Sequence, residues 1–302
     1  MTPPGAATWE PPSWWAGLSG PDGVLHGLPL SGRPAMLAVV VTALLVLSAP
    51  LVWLSRSAEL RRRWATWVVI ATVVGPLLWW GVVPAAVLAA GVAVVACREY
   101  GRLLRLPRPD VAVLTVAALV LPAAALLRPS WLALLPLLLL LAPVVPMVGG
   151  DLTGGALRAA YLSFGIVWLA WGPAHLVIVY PDAFVIALAV AVCDVSSWAG
   201  GKALGRLPVL STRFTPVSPN KTVAGLVGGA VGAGLLLAAL GEEEPALWLA
   251  VAVAAPLGDL VASLFKRQAA VKDAGRCLPG FGGVLDRVDS LLLVLPVAAV
   301  LR

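Results

Sequence analysis

Histidine and cysteine are almost missing from this chain, which has two of the former and three of the latter in 302 residues. Cys97, Cys193 and Cys277 are odd in number and stand far apart in or beside apolar segments. That pattern excludes a zinc ribbon and a disulfide framework and leaves them as small packing residues. His26 falls in a polar tail and His175 stands alone in an apolar run with no local acid, so neither reads as a catalytic base. Charge is scarce too: Asp, Glu, Lys and Arg are 12% of the chain against 60% hydrophobic residues. This excludes an ordinary soluble domain and points to an all-α polytopic membrane protein. A net charge of +6 raises the question of nucleic acid, but the placement of the bases answers it with membrane topology, and no nucleic acid partner is expected.

What the chain has in plenty is apolar runs. Residues 1–33 are rich in Pro, Gly and Trp and lack a basic start before an apolar run. They read as a loosely ordered extracytoplasmic tail rather than a conventional signal peptide, with Trp9, Trp14 and Trp15 at the interface. Ten runs follow, at 35–54, 64–81, 82–96, 111–127, 131–149, 159–180, 183–200, 222–240, 245–262 and 290–301. Several fall short of the ~20 residues of a straight crossing, so eight to ten transmembrane helices are expected.

With the N-terminus outside, alternate loops collect Arg56 and Arg61–Arg63, then Arg98, Arg102, Arg105 and Arg108. After Arg158 come Lys202, Arg206, Arg213 and Lys221, and finally Lys266, Arg267, Lys272, Arg276 and Arg287. Only Arg33, Arg128 and Arg302 of the 21 bases remain outside. Such a bias orients a multi-pass protein of the cell membrane with these loops in the cytoplasm. Glu242–Glu244 then form an outer, solvated turn, and Arg61–Arg63 an anchor able to touch anionic headgroups. The division is a tail at 1–33, N-terminal transmembrane helices at 34–150 and a C-terminal catalytic transmembrane region at 151–302.

The polar chemistry crowds into that last region. Between Ser263 and Ser290, Lys266, Arg267, Lys272, Arg276 and Arg287 can neutralise a polyphosphate. In the same stretch Asp273, Asp286 and Asp289 can hold the hard cation that accompanies one. Pro279-Gly280 and Gly282-Gly283 supply a tight turn where backbone can approach phosphate. Asp194 sits at the cytoplasmic end of an apolar run, followed by Lys202 and Arg206, and an acid at that depth is costly enough to imply a task. Ser218-Pro219-Asn220-Lys221-Thr222 opens the next run with a capping hydroxyl and a point charge for phosphate. Asp259 and Ser263, four apart, share a helix face aimed at the loop that follows.

These residues together resemble the phosphatidate cytidylyltransferase (CDP-diacylglycerol synthase) family. Its signature is matched at Ser263, Lys266, Arg267, Lys272, Asp273, Gly275, Leu278, Pro279, Gly282, Gly283, Asp286, Arg287 and Asp289, with Phe281 where the family has His. Phe281 can neither donate to a phosphate nor carry a proton. A second family segment is met at Asp194, Ser197, Trp198, Gly201, Lys202, Leu204 and Gly205. A third is met at Ser218, Pro219, Lys221, Thr222 and Gly225, with Asn220 replacing a Lys and Ala224 a Glu. The family also carries a Glu-aromatic pair like Glu99-Tyr100, although Arg98, Glu99 and Arg102 read by themselves as a structural ion pair.

The resemblance implies transfer of CMP from CTP to phosphatidate, giving CDP-diacylglycerol and pyrophosphate. Mg²⁺ would be held by Asp259 and Asp286, and Lys272 and Arg287 would be catalytic beside them. Asp194, Ser218, Lys221, Thr222, Ser263, Lys266, Arg267, Asp273, Gly282, Gly283 and Asp289 would bind substrate. Phe281 keeps another lipid or prenyl phosphate, or an inactive relative, as alternatives. A transporter is a further one, since it too places acids at interrupted helices. A homodimer is left open.

Overall fold

A computed structural model describes residues 10–19, 33–55, 57–180, 182–205, 207, 210–242, 244–278, 280 and 282–301. The helices are α1 (Ser13–Ser19), α2 (Arg33–Leu54), α3 (Ala58–Trp79), α4 (Val82–Leu103), α5 (Arg108–Leu127), α6 (Leu135–Leu141), α7 (Val144–Val148), α8 (Gly155–Gly165), α9 (Gly172–Ile178), α10 (Ala183–Leu204), α11 (Val223–Ala239), α12 (Pro245–Gln268) and α13 (Leu285–Leu301). A 3₁₀ turn at Pro129–Leu134 leads into α6, and a π segment at Ile166–Trp171 joins α8 to α9. Among the described residues, extended pairing is confined to two isolated bridges, Arg213 with Thr222 and Leu278 with Gly282.

Every expected apolar run is helical, because in hydrocarbon a helix alone satisfies its own backbone. Seven helical units are long and apolar enough to cross a membrane by themselves. The remaining three lean on their neighbours: α11 and α13 are 17 residues long, and α3 opens with Glu59, Arg61, Arg62 and Arg63. The protein is therefore an all-α, multi-pass membrane protein.

Proline sets the interruptions. Pro129, Pro136, Pro143 and Pro146 break the 129–148 unit into a 3₁₀ turn and two short helices, each proline lacking the amide that would continue the ladder. Pro173 does the same at the start of α9, and the wider π turn just before it absorbs the missing bond.

Two apolar cores result. One joins α2, α10, α11, α12 and the outer part of α13, and it includes Trp15. The other joins α4, α5 and the 129–178 segment, and it takes in Ala262, Leu285 and Leu292. Helices α12 and α13 thus belong to both, and their junction is the most constrained part of the bundle.

The tail differs in part from expectation. Residues 1–9 and 20–32, with Trp9 and His26, lie outside the described residues. The portion around α1 is ordered: Trp15 is buried, and Trp14 donates its indole N–H to Ala239 O at 2.7 Å. Two indoles carry enough apolar area to hold the two turns of α1 against the ends of α11 and α12. At that same end Arg33 pairs with both Asp182 and Glu242, so Glu242 is an ion-pair partner rather than a solvated turn residue. Apart from Arg128 at the C-terminus of α5, the other bases described here gather at the opposite end.

Candidate functional site

The site forms where α10, α11, α12 and α13 meet near the base-rich end. Helices α10 and α11 approach to backbone contact: a Cβ on Gly200 would come within 2.8 Å of the Gly228 Cα. This close crossing carries the 210–222 loop back over the bundle. Thr222, extended at φ −114°, caps α11 by accepting the Gly225 N–H at 3.2 Å, while Lys221 N–H is held by Ser218 O at 3.0 Å. So positioned, Lys221 reaches across to α12, where its Nζ lies 2.7 Å from Asp259 Oδ2 and donates to Pro256 O at 3.1 Å.

On α12, Asp259, Ser263 and Lys266 follow one another at helical spacing along one face. Ser263 Oγ donates to Asp259 Oδ1 at 3.3 Å, and Lys266 Nζ reaches Asp286 Oδ1 at 2.9 Å. Gly258 lets this face lie directly on α13, since a Cβ there would collide with the Asp289 carbonyl and the Ser290 backbone.

Asp286 is almost wholly buried, and its Oδ2 accepts the amides of Ala274 (2.8 Å) and Gly283 (2.9 Å). Asp289, one turn deeper, is as buried, and its Oδ1 accepts the Ser290 amide at 2.9 Å. Ser290 Oγ in turn lies 3.3 Å from Asp194 Oδ1 on α10. Asp194 keeps an exposed surface although its carboxylate lies deep among the helices, and Asp259 is 34% exposed. Both therefore reach the surface of the protein rather than lying in a sealed core. The charge of Asp259 reaches Asp194 and Asp289, and Lys221 and Arg287 offset it at Asp194. Four carboxylates from three helices thus crowd a small volume, a costly arrangement without a cationic ligand.

The described parts of the loop between α12 and α13 pack against Asp286 through the Ala274 and Gly283 amides. Leu278 and Gly282 exchange backbone hydrogen bonds at 2.8 and 3.1 Å, with Gly280 and Gly282 at positive φ. Phe281 and Pro279 lie outside the described residues. The tip at Gly280 rests on Arg62 and Arg63 of α3, which brings that basic cluster beside the loop. Arg267, Lys272 and Asp273 are exposed at the solvent edge, and Asp273 packs beside Gly282. Lys202 goes elsewhere: it lies 4.2 Å above the Trp198 ring, two helical turns from Asp194, since a long stem lets it follow the surface.

One participant comes from the first half of the chain. Glu99 on α4 is buried and accepts the amides of Val284 (3.1 Å) and Leu285 (2.8 Å) and the Cys277 thiol (3.2 Å). Its partners are the first amides of α13, not the neighbouring arginines, so the expectation of an Arg98–Glu99–Arg102 ion pair is corrected. Free amides at a helix start attract a carboxylate more firmly than mobile surface arginines do. Burial first, and then the Glu99 carboxylate, push the Cys277 thiol above its ordinary pKa. The Glu99-Tyr100 pair at the end of its apolar run was the signal available in the sequence for this contact, but it carried no address.

No set of three or more His, Cys, Asp or Glu side chains is disposed to hold a metal ion among the described residues. Mg²⁺ asks for less, since one or two carboxylates suffice when phosphate oxygens and water complete its shell. A carboxylate offers about four lone-pair sites. Asp286 uses three and Asp259 two on the contacts given above, so both retain capacity, and the oxygen-only donor chemistry fits the ion.

Comparison with known proteins gives the family. Residues 61–302 match the model of a family described as the cytidylyltransferase family. A phosphatidate cytidylyltransferase of Helicobacter pylori is 37% identical over 145 residues, covering 45% of this chain and 47% of that protein. One of Brucella abortus is 48% identical over 107 residues, covering 33% and 38%. One of Staphylococcus saprophyticus is 42% identical over 111 residues, covering 34% and 43%. The chain thus matches less than half the length of each of these relatives.

Proposed function

The chain belongs to the cytidylyltransferase family, and from that premise we propose that it transfers CMP from CTP to the phosphate of phosphatidate in the cell membrane. An oxygen of the lipid phosphate forms a new bond to the α-phosphorus of CTP while the bond to the β-phosphate oxygen breaks. The products are CDP-diacylglycerol and pyrophosphate. The observation that carries this reading is the convergence of Asp194, Asp259, Asp286 and Asp289 with Lys221 and Lys266 at the ends of membrane helices.

Phosphoryl transfer asks the protein for positioning and charge neutralisation more than for covalent chemistry. Lys221 and Lys266 are single-point cations on flexible stems, so each can leave its carboxylate for a phosphate oxygen as the nucleotide enters. Arg287 beside Asp194 and the solvent-edge Lys272 and Arg267 extend that positive wall toward the departing pyrophosphate. Mg²⁺ held by Asp259 and Asp286 would neutralise charge on the triphosphate. Thr222 and Ser218 fix the backbone that delivers Lys221, Ser263 orients Asp259, and Asp194 and Asp289 complete the polar chamber. Acyl chains stay among the helices, and the base-rich end faces the cytoplasm, where CTP is found.

The test is direct. Purified protein in phosphatidate-containing micelles, given labelled CTP and Mg²⁺, yields lipid-linked CMP and stoichiometric pyrophosphate. Absence of both products, with the protein folded, overturns the reading. Phe281→His in the same assay shows whether the side chain in the family's His position limits turnover.

A further inference from the structure

Glu99 is a buried acid that the transfer chemistry does not use, and it comes from a helix outside the polar half of the chain. Its two oxygens take three donors between them. Oε1 accepts from Val284 N–H and the Cys277 thiol, and Oε2 accepts from Leu285 N–H at 2.8 Å. The loop has been shaped around the carboxylate: a Cβ on Gly283 would sit 2.5 Å from Oε2, and a Cβ on Gly275 would overlap Oε1. The next amide back, Gly283 N–H, goes to Asp286 together with that of Ala274. Consecutive amides 283, 284 and 285 are thus divided between a site carboxylate and Glu99, so Asp286 and Glu99 grip the same three residues from two sides.

We propose that Glu99 is a positioning residue for the site. Delivered by α4, its carboxylate pins the 274–285 loop to the first half of the bundle and so fixes where Asp286 meets Lys266. The effect on turnover rests on the proposed nucleotidyl transfer, whereas the pinning itself does not. Because the anchor is a carboxylate taking three donors at once, an amide cannot replace it: Gln would turn its NH₂ group toward an N–H and lose at least one contact. Asp would fall short by one methylene.

The experiment reads the loop through Cys277, the one exposed cysteine among Cys97, Cys193 and Cys277. Alkylation by a small maleimide is followed in membranes for the parent, Glu99→Gln, Glu99→Asp and Gly275→Ala, with Cys277→Ser setting the background. Removing one or two charge-assisted hydrogen bonds should speed Cys277 alkylation about tenfold or more in all three variants, with the buried cysteines still unreactive. Combining Glu99→Gln with Gly275→Ala should accelerate it by less than the product of the single effects, since both release the same contact. In the transfer assay, kcat should fall while KM for phosphatidate holds.

Unchanged Cys277 alkylation in folded Glu99→Gln and Gly275→Ala overturns the proposal, as does full multiplicative behaviour of the double variant. If even the parent protein shows no transfer, the functional reading fails while the alkylation series still decides the role of Glu99.

Discussion

The two halves of the folded bundle, residues 33–180 (α2 to α9) and 182–301 (α10 to α13), treat buried acid differently. In the first half Asp110, wholly buried at the start of α5, receives the Nε and an Nη of Arg158 at 2.9 and 2.6 Å. The remaining Nη of Arg158 takes Asp151, whose other oxygen caps Gly154 N–H. In the second half Asp259 and Asp286 each meet one lysine ammonium, and Asp194 and Asp259 keep open faces. A forked arginine closes a junction and leaves nothing to offer a ligand, whereas a lysine holds a carboxylate at one point and can be drawn away. Charge in the first half fastens helices together, and charge in the second is held ready for exchange.

The largest effect that would sharpen this contrast is on stability in the first half. Arg158→Ala strands a buried Asp110 carboxylate and should cost about 3–5 kcal/mol, read as a large drop in the unfolding midpoint in detergent. Replacing Asp110 and Arg158 together by leucine and methionine should recover most of it. If Arg158→Ala leaves the midpoint unchanged, the junction is not a clamp. In the second half the signs should reverse: Asp259→Asn should lower kcat by about 10²–10³-fold while the folded state is as stable as the parent or more so, because a crowded charge has gone. A matched loss of stability and activity would break the comparison.

Smaller again, Lys221→Gln should raise KM for CTP by roughly tenfold, the scale of one hydrogen bond to a charged group, with the unfolding midpoint nearly constant. The smallest effect is a pH dependence at the junction. The Arg158 side chain, and then the Gly154 amide, hold the Asp151 carboxyl below its usual value. The stabilisation is therefore complete above the ordinary carboxyl pKa of about 3.9 and lost as pH falls through the lower folded value. Asp151→Asn should destabilise at neutral pH, and its deficit should vanish in strong acid. A deficit that persists unchanged there contradicts the assignment.

The ten apolar runs were readable because a helix lets a single segment satisfy its own backbone in hydrocarbon, and each proved helical, one of them broken by prolines. The clustering of Asp259, Ser263, Lys266, Asp286 and Asp289 was also readable, since helical spacing and the short signature place them within one hairpin. The partners of these side chains were not. Lys221 lies 38 residues before Asp259 in the chain, and its reach across α11 and α12 depends on how closely Gly200 and Gly228 let two helices approach. Order in the tail was missed for a related reason, because Trp15 is ordered by a surface that several distant helices make together.

Composition and spacing alone determined that this chain lies in a membrane, is built of helices, and interleaves acids with bases near its C-terminal end. Hydrophobicity and helical period are local properties, so they survive in one dimension. Only the tertiary structure decided that Glu99 belongs to the loop before α13 and that Asp110 is locked while Asp259 is open. A buried charge takes whichever donor the packing brings to it, and packing is a property of helices far apart in the chain.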